Sequence, residues 1–445
     1  MEKVECIVVG AGPTGSACAI SLARNGVETV LLERGQQAGE KNVASFILFG
    51  EVLSTLVPGF EEEAPLERRI NDFSFIALTG DAFFDIRMAL TGHYEKQQIH
   101  TAYRTRLDSW FAGKAEEAGA TLLRGVCVTG LLKENGRVVG IKVGDEEMLA
   151  DVVVGADGFH SVVARDSGLL VDDTSRFMVG VREVLDLPPE VIEDRFQVGP
   201  DGGCMKDGWG YPVADVRGLM AIYTMRDSVT LTLFAPMDAM KEGCNLRERM
   251  ELFKEHPYVA RFIKDGKLRE YEAHILADGG RMKLDSLYSD GVLLCGEAGG
   301  FNSNAWVGVP CGMLSGVKAA EAVVQARRQG RYDAETLSCY RDILFTTGLP
   351  RMLYLARGMS DFMVKRGKPH MERFTDDLVD FATEVVMEEV NFTDPEPFSY
   401  IEKGYYALFA SYIKKNWLKL PLKLMVKMVD RLFNSYMKWQ IRRTV

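Results

Sequence analysis

The sequence predicts an α/β protein in which a discontinuous, Rossmann-like dinucleotide domain is combined with an inserted antiparallel sheet and a helical C-terminal region. Three observations carry this expectation. Near the start, the apolar run Val4 to Val9 leads into Gly10, Gly12 and Gly15 at G-x-G-x-x-G spacing, followed by a helical segment, Ser16 to Asn25. Much later, DVVVGADG (residues 151–158) and VLLCGEAGG (residues 292–300) read as two more buried strands ending in glycine. Between them, residues 175–285 break into short alternating segments separated by Gly, Pro and Asp, the pattern of an antiparallel sheet.

Each element has a physical reason. The first glycine permits a tight turn, the second lets backbone approach a pyrophosphate at the positive end of the helix, and the third allows close helix-to-strand packing. The next strand, Thr29 to Leu32, ends at Glu33, about 20 residues from the turn, where an acid can accept hydrogen bonds from a ribose. A helix is expected from Ala44, then a loop at Val57-Pro58-Gly59-Phe60. Strands Phe73 to Leu78 and Ala82 to Met88 form a hairpin over Thr79-Gly80. A helix over Leu107 to Ala118 precedes strands at Thr121 to Thr129 and Val138 to Val143, with an Asn-Gly turn at Asn135-Gly136. Within the inserted sheet the expected strands are Phe177 to Val184, Arg195 to Val198, Gly208 to Pro212, Leu219 to Thr224 and Val229 to Phe234. The expected division is a dinucleotide domain at 1–78, 100–170 and 286–330, a substrate domain at 79–99 and 171–285, a helical region at 331–410 and a tail at 411–445.

Composition narrows the function. The eight cysteines are dispersed and never fall in C-x-x-C spacing, and the six histidines form no ligand pair. No metal site and no disulfide framework are expected, which suits a reducing cytoplasm. MEKVEC runs straight into the first strand, so no signal peptide is expected, and no apolar run approaches the ~20 residues of a membrane span. Nucleic acid is not an expected partner. The net charge of −10 divides unevenly: residues 411–445 carry nine basic side chains against one acid, Asp430. Lys419, Lys423, Lys427 and Arg431 recur every four residues as one stripe of a helix. Such a helix can lie on an anionic membrane surface, dock on an acidic partner or pack on its own acidic body.

An NAD enzyme usually carries its dinucleotide fold as one block, whereas here the glycine-ended strands lie at both ends of the first 300 residues. Three motifs together, GAGPTG (residues 10–15) with Glu33-Arg34, VVVGADG (residues 152–158) and LLCGEAGGF (residues 293–301), resemble the glutathione-reductase-type flavoproteins. That group contains p-hydroxybenzoate hydroxylase, the geranylgeranyl reductases and the electron-transfer-flavoprotein:quinone oxidoreductases. The resemblance implies FAD, held by Gly10, Gly12, Pro13, Thr14 and Gly15, with Glu33 at the adenosine ribose and Arg34 after it as a further cofactor-binding residue. It further implies Arg104, opening R-x-x-L-D, beside the pyrophosphate, Val128 at the adenine, and Asp157 and Gly158 as the family's Asp-Gly pair. Gly296, Glu297 and Gly300 match the last motif, where Glu297 stands in place of the commoner Asp. The loop Phe301 to Gly312 is then expected to pass the isoalloxazine, with Gly308 and Gly312 allowing close approach and a helix from Met313 directing its positive end at the ring.

Residues 39–70, GEKNVASFILFGEVLSTLVPGFEEEAPLERRI, are similar to the bacterial FixC type of electron-transfer-flavoprotein:quinone oxidoreductase, with Lys41-Asn42 and Pro58-Gly59-Phe60 carrying the likeness. This implies electrons passing from an electron-transfer flavoprotein through FAD toward quinone, with localisation in the cytoplasm or peripherally on the inner face of the cell membrane. The last cysteine is Cys339, so any iron–sulfur centre belongs to a separate ferredoxin-like subunit. The segment 202–224 lacks the expected G-G-G-F-type stretch, which leaves the second substrate open. Trp209 and Tyr211 either line a flat pocket or fill the sheet core. Alternatives are a geranylgeranyl-reductase-like enzyme adding hydride to an alkene, a flavin monooxygenase, and a flavin-bearing scaffold subunit. No catalytic acid is identified; Lys41, Asn42, Asn302 and Asn304 are placed near the ring by motif position, and Cys311 by its place in the flavin loop.

Overall fold

The computed structural model describes residues 3–41, 45–89, 98–170, 177–277, 283–302, 307–351 and 353. The chain opens with β1 (Lys3–Val9), α1 (Pro13–Arg24) and β2 (Thr29–Glu33). It continues through β3 (Ser45–Phe49), α2 (Glu51–Leu56), β4 (Leu66–Leu78), β5 (Phe83–Ala89) and β6 (Ile99–Tyr103). Next come α3 (Arg104–Glu117), β7 (Thr121–Arg124), β8 (Gly130–Glu134), β9 (Arg137–Val143), β10 (Glu146–Gly155) and α4 (Val162–Ser167). The inserted region holds β11 (Phe177–Asp186), α5 (Pro189–Phe196), β12 (Gly202–Gly210), β13 (Leu219–Thr224) and β14 (Ser228–Pro236). It closes with α6 (Met237–Lys241), α7 (Leu246–Glu255), α8 (Pro257–Ile263) and β15 (Lys267–Ala277). The short strands β16 (Tyr288–Ser289) and β17 (Val292–Leu294) precede α9 (Gly308–Gln329), α10 (Ala334–Leu337) and α11 (Cys339–Phe345).

Two sheets result. In the first, β17, β10, β1, β2 and β7 run parallel in that order, with β16 and the β8–β9 hairpin attached antiparallel. Its strands are apolar on both faces because both are covered. Cys6, Val8, Leu31, Val154 and Leu293 pack under α1, α3 and α9, while Ile7, Val9, Leu32, Val153 and Leu294 pack with Val163 of α4 and the β8–β9 hairpin. Parallel strands meeting helix N-termini at their C-terminal ends are what a nucleotide site needs.

The second sheet has the order β15-β11-β14-β13-β12-β4-β6-β3, with β5 also on β4. One face packs on α5, α7 and α8 through Val181, Leu231, Ile192 and Phe253; the other holds Met205, Tyr223 and Ile47. The expected all-antiparallel sheet is corrected in one place, since β12 and β4 pair in parallel. Sheet membership also departs from the expected division: β3, β4 and β6, which fall in 45–78 and 99–103, belong to this second sheet.

Local expectations differ where an apolar run fits more than one element. Ser45–Phe49 forms β3 against β6 rather than opening a helix, and the helix that follows is the six-residue α2. Arg195 to Val198 is not a strand; Arg195 lies in the last turn of α5, which Pro189 starts. Only Thr121–Arg124 of the expected strand to Thr129 pairs in the sheet. Strand β12 runs from Gly202 to Gly210, not from Gly208 to Pro212. The β4–β5 hairpin and the Asn135-Gly136 turn form as expected, the latter with φ of 50° and 86°. The remainder of the 331–410 region beyond residue 353 and the basic tail lie outside the described residues.

Candidate FAD site

A cavity of about 430 Å³ opens where the C-terminal ends of the parallel strands meet the inner face of the second sheet. Its floor begins with Val9 and Gly10 at the end of β1, then Gly12, Pro13 and Thr14 at the start of α1. No side chain caps that helix and its first turn carries no acid, so its amide N–H groups and partial positive charge face the cavity. A methyl group added at Gly12 would meet only Arg104 Nη2, at 3.9 Å, which leaves the backbone there open to a ligand. Gly10 is needed for another reason: its φ of +100° is left-handed, and a Cβ would sit 2.6 Å from the Ala156 carbonyl oxygen.

The polar groups around this opening are held in place from behind. Glu33 accepts hydrogen bonds from the Ala11 N–H at 3.2 Å and the Gly35 N–H at 2.8 Å, so its carboxylate is tied to the glycine turn. Arg104, at the first position of α3, donates three hydrogen bonds of 2.7–3.0 Å from Nε and Nη2 to Asp108 one turn later. Burial works against the guanidinium's charge, but Asp108, with Glu297 and Glu272 farther off, outweighs it and holds Arg104 more firmly cationic than usual. Asp157 turns the other way: it accepts from Ser161 Oγ at 2.6 Å and the Val163 N–H at 3.1 Å, helping to cap α4. Burial pushes its pKa above the usual aspartate value despite those bonds. What Asp157 and Gly158 present to the cavity is therefore largely backbone, and Gly158 has φ of +78° with open space where a Cβ would stand.

The structure brings together Gly10, Gly12, Pro13, Thr14, Glu33, Arg34, Lys41, Arg104, Val128, Asp157, Gly158, Glu297, Gly308 and Gly312 around this one cavity. Three expected residues do not line it. Gly15 is a packing residue, since a Cβ there would fall 1.8 Å from the Gly10 carbonyl oxygen, and Gly296 packs on Thr14, where a Cβ would fall 2.6 Å from Oγ1. Gly300 borders a separate small cavity beside Leu170. Asn42 and Asn304 lie outside the described residues. The expected loop to Gly312 is also corrected: α9 starts at Gly308, so Gly308 and Gly312 belong to its first turns, and Gly312 packs against Thr14.

Sequence reading missed the roof of the cavity. Phe46 and Ile47 come from β3, Tyr223 from β13, Thr232 and Phe234 from β14, Arg182 from β11, and Glu272 and His274 from β15. Arg182 donates to Thr232 Oγ1 at 3.3 Å and pairs with Glu272 at 3.4 Å. Strand alternation groups Thr232 with Phe234, but which face meets a ligand depends on how the two sheets pack. Trp209 and Tyr211 do not line the cavity; Tyr211 packs with the cluster on the opposite face. Cys295 is fully buried in the first sheet's core, and Cys311 is buried in the same cluster.

The donor set fits FAD. The uncapped helix start, the open Gly12 and Arg104 suit a pyrophosphate, and Glu33 suits a ribose diol. At the other end Asn302 Oδ1 is buried and finds no hydrogen-bond partner among the described residues, an acceptor suited to a ring N–H.

Comparison with known proteins agrees. The FAD binding domain model matches residues 3–197. The chain is 34% identical over 353 residues to the probable electron transfer flavoprotein-quinone oxidoreductase YdiS of Escherichia coli K12, covering 76% of this chain and 81% of that protein. It is 35% identical over 357 residues to protein FixC of Azorhizobium caulinodans, covering 77% and 81%. The chain belongs to the FixC family of FAD-dependent oxidoreductases. Members of the FixC family such as this chain share their fold more widely. A geranylgeranyl bacteriochlorophyll reductase-like protein of Thermoplasma acidophilum superimposes with a TM-score of 0.69 at 18% identity, over 91% of this chain and all of the other. The flavin-dependent brominase Bmp2 superimposes with a TM-score of 0.60 at 18% identity, over 77% and 83%. This FixC-family chain is an oxidoreductase that uses FAD in electron transfer. Among its described residues no helix is long and apolar enough to cross a membrane.

Proposed function

We propose that the chain accepts electrons from an electron-transfer flavoprotein and delivers them through FAD to a quinone. The observation that carries the choice of a lipophilic acceptor is the apolar inner face of the second sheet beyond the cavity, where Phe75, Ile86 and Met88 stand 42–49% exposed on neighbouring strands β4 and β5. An electron-transfer flavoprotein as donor is supported by the likeness to the probable electron transfer flavoprotein-quinone oxidoreductase YdiS, and a ferredoxin-like subunit is a further candidate partner.

In this reading Gly12, Thr14 and Arg104 hold the pyrophosphate, Glu33 the adenosine ribose, Val128 the adenine and Glu297 the ribityl chain. Lys41, Asn302, Gly308 and the start of α9 lie at the ring, and Tyr223, Thr232 and Phe234 close over it and exclude water. Bound FAD supplies reversible redox chemistry; the protein supplies position and field. Exclusion of water matters because charges such as Arg104 act more strongly in a dry site.

The test mixes the holoprotein anaerobically with a reduced electron-transfer flavoprotein and then with a soluble quinone analogue. Flavin bleaching on the first addition and recovery on the second are expected. A holoprotein that its donor cannot reduce, or that quinone cannot reoxidise, contradicts the proposal.

A further inference from the structure

Strand register lays one row of side chains across the inner face of the second sheet. From β5 to β15 it reads Ile86, Phe75, Asp207, Ala221, Thr232, Arg182 and Glu272, each paired with the next. The last three line the FAD cavity, and the first two are 49% and 47% exposed. Asp207 therefore stands at the junction between the cofactor end of the row and its exposed apolar end. With strands about 4.8 Å apart, it lies two strands, roughly 10 Å, from Thr232. Tyr223, another cavity residue, is its diagonal neighbour on β13, roughly 7–8 Å away.

The setting is unusual for a carboxyl group. Its direct neighbours in the row are Phe75 and Ala221; Met205 and Trp209 flank it along β12, and Phe73, Ala77, Leu219 and Tyr223 are the diagonals. The first charged groups in the row are Arg182 and Glu272, three and four strands away, while Lys206 points to the opposite face toward Ser74 and Asp85. Burial, with no charged partner beside it among the described residues, pushes the Asp207 carboxyl up to about 7, so near neutral pH it carries a proton that it can give away.

We propose that Asp207 is a proton donor to the lipophilic acceptor, seated against Phe75 and Ile86 with its reactive head toward Thr232. This rests on the quinone reading above. Quinone reduction adds two electrons and two protons. Both electrons come from reduced FAD, whose own ring protons pass to solvent; the Asp207 O–H bond breaks as an O–H bond forms on one quinone oxygen, and solvent supplies the proton for the other. Water then reprotonates the carboxylate.

The experiment compares wild type with Asp207→Asn, which keeps the shape but cannot titrate, and with Asp207→Glu. Each holoprotein is reduced anaerobically and reoxidised by a soluble quinone or, separately, by a ferricenium salt, which takes up electrons without protons. The quinone-to-ferricenium rate ratio of wild type should fall as pH rises through about 7. In Asp207→Asn the ratio should be at least tenfold lower at pH 6 and flat with pH, and Asp207→Glu should restore the pH dependence. Infrared difference spectra of oxidised wild type against Asp207→Asn should show a protonated carboxyl that titrates near neutrality. Wild type inert to quinone overturns the function and this inference together. Wild type active, with Asp207→Asn unchanged in ratio and pH profile or with no titrating carboxyl band, overturns this inference alone.

Discussion

Arg104 and Asp108 form a forked ion pair one helical turn apart, with Asp108 fully buried and Arg104 only 21% exposed at its side chain. The pair fixes the guanidinium where it faces the open backbone of Gly12, leaving Nη1 without a hydrogen bond to any described residue. Removing one member of a buried pair strands the other charge, at a cost of about 3–5 kcal/mol. Asp108→Ala should therefore lower holoprotein stability by that amount in urea unfolding and weaken FAD retention. Arg104→Ala with Asp108→Ala should cost less than the sum of the single changes, by about 1–3 kcal/mol of coupling.

Gly12 and Gly15 belong to one motif but act differently, and substitution separates them. At Gly15 a methyl group meets the Gly10 carbonyl oxygen at 1.8 Å, so Gly15→Ala must force α1 away from β1 and should cost the apoprotein about 1–3 kcal/mol or more. Gly12→Ala meets no packed atom closer than 3.9 Å. It should leave the apoprotein melting temperature near wild type while raising the FAD dissociation constant. Thermal melts of apoprotein alongside FAD titrations check both.

For Glu33→Gln, one of two anchored acceptors becomes an amide donor that cannot accept from both Ala11 and Gly35. A loss of about 1.4 kcal/mol, a tenfold rise in the FAD dissociation constant by fluorescence titration, is expected.

Asp207 gives stability a pH signature. Its folded-state value of about 7 lies above the ~3.9 of an unfolded aspartate, so the folded state holds the proton longer. The stabilisation is complete below the unfolded value and is lost as pH rises through about 7. Asp207→Asn should remove that slope, gaining up to about 4 kcal/mol relative to wild type between pH 4 and pH 8. Denaturant titrations across this range measure it.

The cofactor floor was legible in the sequence because each of its parts is a local motif. A glycine turn, an acid at a strand end and an arginine opening a helix keep their meaning wherever the chain goes next. The glycines were harder: Gly15, Gly296 and Gly300 share motifs with lining residues, yet the first packs on the Gly10 backbone and the second on the Thr14 side chain, contacts that only three dimensions reveal. The roof was not legible. Thr232, Arg182 and Glu272 come from three strands whose sequences signal a sheet, but nothing local says which face meets the cavity. Ser45–Phe49 misled for a related reason, since a run with only four apolar residues takes its secondary structure from its partner strand β6.

Electron delivery from this FixC-family chain to a quinone, as proposed above, is tested most directly by reducing the purified holoprotein anaerobically and offering it a soluble quinone analogue and, in parallel, an isoprenoid alkene. Rapid recovery of the oxidised flavin absorbance with quinone, and an alkene returned unchanged, is the predicted result. Saturation of the alkene by a protein inert to quinone would contradict the claim and make the chain a reductase built on the same FAD fold.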